Sequence, residues 1–186
     1  MPPKGTPPSF ESELPGRPGA NWAALLLPPM AALSIGAAAI HFAVTAEHFT
    51  EFWLFGIFFA AIAWFQALWP LAYLRWPTRI TAGIALAANL GTVLLWAWTR
   101  FVGIPLGPSV GDAELVGVAD VAASGFETLL CGILLLLVVP AVRSRLLATP
   151  VSKGAWIGSG FWVVVVVAIT TWVLALHGND IMVMGH

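Results

Sequence analysis

Asp120 and Glu127 stand seven residues apart inside an apolar run, residues 116–141, that is long enough to cross a bilayer. Seven residues is close to two helical turns, so both carboxylates point the same way. A charge at bilayer depth costs about 3 kcal/mol even on insertion scales unless it is paired, solvated or protonated. The rest of the chain must therefore supply partners for that face. His41 lies five residues before the end of the first apolar run, about 7 Å below its interface, and Asp120 enters its own run by a similar amount. Arg100 closes the third run and His177 the fifth, which completes one layer of imidazole, carboxylate and guanidinium.

Imidazole with carboxylate is a donor set for zinc, copper or iron. His41, Asp120 and His177 are the expected metal ligands. His48, Glu51, Met182, Met184 and His186 are further donors, and the thioethers among them favour copper. Transition-metal binding or handling, of copper or zinc, is the leading functional expectation. A metal-dependent membrane hydrolase would use Glu127 or Asp120 as base. A haem held by His41 and His177 is weaker, because it leaves the acids unexplained. The non-catalytic alternative is an accessory subunit or assembly factor whose small-residue face, Gly36 to Ala39, packs on a larger membrane partner or a second copy. No residue is assigned a catalytic role.

A second polar layer lies nearer mid-bilayer, where Ser34, Asn89 and Glu127 each fall close to the centre of their own run, with Gln66 further toward the other end. Glu127 has no cation at its level and is expected to be hydrogen-bonded within the bundle, to Asn89 or Ser34. Arg100 has two choices. Committed to Asp120, it makes a structural clasp; turned to Asp112 and Glu114, it frees Asp120 to join His41. The second arrangement is favoured because those two acids otherwise lack a nearby cation.

The elements that position these groups are apolar to an unusual degree. Of 186 residues 59% are hydrophobic and 9% charged, against roughly 25% charged in soluble domains, and the mean hydropathy is +0.89. An all-α bundle of five transmembrane helices follows, over residues 22–46, 51–74, 78–99, 116–141 and 155–176. A Pro/Gly-rich tail, 1–21, without apolar periodicity precedes the bundle (22–177), and a short tail, 178–186, follows it. Thr50 is the expected N-cap of the second span, with Glu51 in its first turn. Residues 101–115 form a Gly- and Pro-punctuated loop. The ten Trp cluster largely at run ends, as interface anchors do.

With the N-terminus inside, Lys4, Arg17, Arg75, Arg79, Arg143, Arg145 and Lys153 are cytoplasmic, leaving Arg100 outside among the eight basic residues. The positive-inside rule then predicts N-in, C-out in the cell membrane. All four histidines and seven of the nine acids fall on the outer side, so the outer end is the chemical end. A net charge of −1 with no basic stripe excludes a nucleic-acid partner. The lone Cys131 excludes an intramolecular disulfide.

Overall fold

The computed structural model describes the backbone of residues 21–183 and the side chains of 21–152 and 154–176. Helix dominates this stretch: α1 (Trp22–Leu25), α2 (Leu27–Glu51), α3 (Trp53–Arg75), α4 (Arg79–Phe101), α5 (Val118–Val138), α6 (Pro140–Ala148) and α7 (Lys153–Val183). Five helical rods are long and apolar enough to cross a membrane, with Trp22–Glu51 counting as one.

Prolines place the bends, and serines repair what they break. Asn21 caps α1 by accepting from the Ala24 amide at 3.0 Å. Pro28 and Pro29 occupy the first turn of α2. Pro29 has no N–H, so the Leu25 carbonyl four residues earlier loses its helical donor. The Ser159 hydroxyl, arriving from α7, donates to that carbonyl at 2.9 Å. The same event recurs inside α3, where Pro70 frees the Gln66 carbonyl. There the Ser34 hydroxyl of α2 donates at 2.7 Å. In an apolar surrounding each freed carbonyl would otherwise stay unpaired, so each proline ties its helix to a neighbour.

α2 is the central rod. It packs against α3, α5 and α7, while α4 packs chiefly on α5. The core runs through Met30, Leu33, Ala37, Ile40, Leu130, Leu134 and Leu137. The small residues expected to face a partner are used inside the chain: Gly36, Ala37 and Ala38 are buried. A Cβ on Gly36 would come within 2.8 Å of the Thr170 hydroxyl and 3.0 Å of Phe126. Only glycine lets α7 and α5 approach α2 this closely. By contrast, α3 and α4 meet sparsely although a three-residue turn joins them. At that turn's end of the bundle, Arg79 Nε donates to the Val138 carbonyl at 2.8 Å and Arg143 Nη2 to the Pro77 carbonyl at 2.6 Å. Arg79 thus caps the last carbonyl of α5, and Arg143 holds a carbonyl of the turn between α3 and α4. We call this the basic end.

Several expected boundaries are corrected. α2 does not stop at residue 46 but runs through the polar stretch to Glu51 and breaks at Phe52, which is extended (φ −160°). Nothing in 47–51 opposes helix, so Thr50 is not an N-cap; its hydroxyl bonds back to the Glu47 carbonyl at 2.7 Å. The fourth span ends at Val138 because Pro140 starts a separate helix. α4 extends to Phe101.

The loop between α4 and α5 is built on three glycines at positive φ, Gly103 (112°), Gly107 (91°) and Gly111 (89°). Ile104 exchanges backbone hydrogen bonds with Asp112 and Gly111 at 2.9 Å each, and the Glu114 amide reaches the Thr99 carbonyl at 3.1 Å. A Cβ on Gly107 would lie 3.1 Å from Phe52 and 3.2 Å from Phe55. The loop tip therefore sits on the start of α3, and this end is called the loop end below.

Candidate functional site

The direction of each helix decides which deep polar groups meet. Side chains lean toward their own helix N-terminus. α2 and α4 start at the basic end, so His41 and Asn89 lean that way. α3 and α5 start at the loop end, so Gln66 and Glu127 lean toward the loop. His41 lies ten residues before the end of α2 and Glu127 nine after the start of α5, which puts both about 14–15 Å from the loop end at 1.5 Å per residue.

That shared level brings His41 and Glu127 together in spite of their opposite leans. Glu127 Oε1 lies 3.1 Å from His41 Nε2 and accepts from Gln66 Nε2 at 2.6 Å. Gln66 Nε2 also donates to Asn89 Oδ1 at 3.0 Å, and Asn89 Nδ2 donates to the Ala85 carbonyl at 2.8 Å. One polar network thus ties α2, α3, α4 and α5 together, with Gln66, Glu127 and Asn89 at most 1% exposed. The expected partners of Glu127 were Asn89 and Ser34. Asn89 instead reaches it through Gln66, and Ser34 binds the Gln66 backbone. Gln66 is the residue that counting Cα depths misses, because its long side chain climbs toward the loop end.

Above this floor, His48 stacks on Phe59 (centroids 3.9 Å apart, planes 8° apart), while His41 meets the same ring at 5.5 Å. Both follow from a continuous α2, which puts residues seven apart on one face. His48 Nδ1 lies 2.9 Å from Glu51 Oε2.

The mouth is organised by Arg100, which pairs at once with Asp120 and with Glu114, one of the two loop acids expected for it. One guanidinium nitrogen pairs with Glu114, and the other reaches Asp120 Oδ2 at 2.6 Å. The same Asp120 oxygen accepts from the Gly117 amide at 3.1 Å. Asp120 is therefore not free to join His41, which corrects the arrangement favoured from sequence. His41 and Asp120 occupy different levels, because α2 is longer than its apolar run and carries His41 deeper. Among the described residues, no three His, Cys, Asp or Glu side chains converge as a metal donor set. The guanidinium beside Asp120 also disfavours a second cation there. The expectations for the His177, Met182, Met184 and His186 side chains lie outside the described residues.

Between floor and mouth lies a cavity of about 440 Å³. Phe55, Phe58, Phe59, Leu95, Trp96 and Ile104 wall it, His41, Thr92 and Glu127 form its floor, and His48, Arg100, Glu114 and Asp120 its mouth. A second hollow of about 780 Å³ shares the mouth residues and reaches Glu47, Glu51, Val173 and Leu176. Two of the residues that line the first cavity, Ile57 of α3 and Leu95 of α4, are also 47% and 36% exposed. Both flank the sparse seam between α3 and α4. Such a site can hold an apolar body while offering hydrogen bonds at two depths. Family models, curated proteins and solved structures yield no match to this chain.

Proposed function

We propose that this integral membrane protein binds a membrane-borne amphiphile in the cavity enclosed by α2, α3, α4 and α5, with the His41–Glu127–Gln66 network as its polar anchor. The observation that carries this reading is the coincidence of an apolar cavity, lining residues on the sparsely packed α3 and α4 that are also exposed on the outside of the bundle, and a buried polar floor. Ligand sites are concave, mostly apolar and furnished with a few placed polar groups. A ligand dissolved in the bilayer reaches this one without crossing the polar mouth.

Metal handling draws less support. The three carboxylates that line the cavity are already engaged, Glu127 by Gln66 and both Glu114 and Asp120 by Arg100. The N-in, C-out orientation in the cell membrane belongs to the same proposal and rests on the distribution of lysine and arginine. It makes the loop end external. A reporter joined after His186 is then expected outside and one inserted between Arg143 and Lys153 inside; an internal C-terminus overturns it.

The binding test uses the protein in lipid nanodiscs with a pyrene-labelled long-chain alcohol. The expected result is a saturable component of one probe per chain above non-specific partitioning. Val44 lines both hollows, and Val44→Phe, which fills the space, is expected to remove that component while the helix content stays unchanged. Wild-type binding that never saturates overturns the proposal.

A further inference from the structure

Two buried N–H donors in this molecule have no acceptor among the described residues: Trp96 Nε1 and Arg100 Nε. They are one turn apart on the same face of α4, the guanidinium lies over the indole at 5.6 Å, and both residues line the cavity. Buried donors are almost always satisfied in folded proteins, so a pair left open beside a cavity marks where an acceptor belongs.

Charge narrows what that acceptor is. Arg100 is the cation of the mouth, and Glu114 and Asp120 both pair with it. Glu51 stands beyond it and Glu127 below it. A carboxylate or phosphate head would meet an excess of negative charge, whereas a neutral oxygen would not. Geometry narrows it further. Asp120 and Glu127 are seven residues apart, so mouth and floor differ by about 10 Å along α5, with Trp96 about 6 Å inward of Arg100. A body that fits presents one oxygen to Trp96 Nε1 and a second to Arg100 Nε, with a flat apolar centre against the rings of Phe55, Phe58 and Trp96. Its tail leaves past Ile57 and Leu95 into the bilayer.

We infer that the ligand is an uncharged ring dicarbonyl with an apolar tail, of the quinone class, recognised through the open donors of Trp96 and Arg100. This rests on the amphiphile-binding reading and names the ligand class for that same site.

The test displaces the pyrene-labelled alcohol from protein in nanodiscs with three matched probes: a decyl-substituted 1,4-naphthoquinone, decylnaphthalene and a decyl-substituted naphthoate. The quinone is expected to compete at roughly 25-fold lower concentration than decylnaphthalene, as two hydrogen bonds to buried donors would give, and the naphthoate least well. Trp96→Phe keeps the ring and deletes the N–H. It should weaken quinone binding about fivefold, the worth of one hydrogen bond, and leave decylnaphthalene unchanged. Independently of any variant, the carbonyl stretch of the bound quinone should move to lower frequency than in protein-free nanodiscs. Equal competition by quinone and decylnaphthalene, or an unshifted carbonyl stretch, overturns the quinone class while leaving amphiphile binding intact. Tightest binding by the naphthoate overturns the charge argument. A labelled alcohol that does not bind saturably removes both readings together.

Discussion

Replacing Gln66 with leucine tests whether the buried network holds the bundle. The side chain is fully buried and donates to Glu127 at 2.6 Å and to Asn89 at 3.0 Å. In water-soluble proteins a hydrogen bond to a neutral partner contributes about 1 kcal/mol and one to a charged partner about 2. Within membranes measured values average nearer 0.6 kcal/mol, because the unfolded helices also find partners. Gln66→Leu strands Asn89 Oδ1, but it also removes Gln66 Oε1, a buried acceptor that has no donor among the described residues. The net expectation is a loss of about 2 kcal/mol. The assay is unfolding by SDS in mixed micelles, followed by circular dichroism. A double-mutant cycle isolates the contact: Gln66→Leu with Glu127→Leu should show a coupling of about 1–2 kcal/mol, and Gln66→Leu with Asp120→Asn, which share no partner, a coupling near zero. If Gln66→Leu costs less than about 0.5 kcal/mol, or if the two cycles give equal couplings, the network does not join these helices as described.

Further outcomes follow from the same geometry. Glu127→Gln keeps an oxygen for Gln66 and His41 and should give monodisperse protein in normal yield, whereas Glu127→Lys sets a cation against Gln66's donor and should not; equal yields would refute the hydrogen-bond roles. At the mouth, Arg100→Leu leaves Glu114 and Asp120 facing one another and should cost about 3 kcal/mol, against about 1 for Asp120→Asn. Limited proteolysis between α4 and α5 should accelerate much more in Arg100→Leu, and identical rates would show that Arg100 does not clasp the loop. Gly107→Ala and Gly111→Ala both place a side chain at positive φ, but only the former meets Phe52 and Phe55. Hydrogen exchange of loop amides should therefore rise further in Gly107→Ala, and equal effects would show that the loop tip does not dock on α3.

The five apolar rods are legible because lipid imposes a length and a composition that little else imposes. Their ends are less so. Hydropathy reports bilayer thickness, and a helix is free to continue into water, as α2 does through Glu47, His48 and Glu51. That one extension moved His41 from the level of Asp120 to the level of Glu127 and turned an expected ligand pair into two separate sites. Asp120, Glu127, His41 and Arg100 stand out in the sequence because each is costly in lipid. Gln66 does not, since it is uncharged and its Cα lies low; the sign that would have found it is Pro70 four residues on, which frees the Gln66 carbonyl. The cavity has no sequence signal, because its walls come from four helices and the loop between α4 and α5, a property of packing and not of any one helix.

The two proline–serine pairs have an evolutionary consequence. Each joins residues far apart in the chain, Pro29 with Ser159 and Pro70 with Ser34, through a carbonyl that belongs to neither. A lineage that lost Pro70 would regain the helical bond to the Gln66 carbonyl and leave the Ser34 hydroxyl with nothing to do; one that lost Ser34 first would carry an unpaired carbonyl in lipid until the proline also changed. The accessible order of substitution is thus proline before serine, and serine without proline should be the common intermediate among diverging sequences. Each pair works as a ratchet, easily released from one side and costly to release from the other.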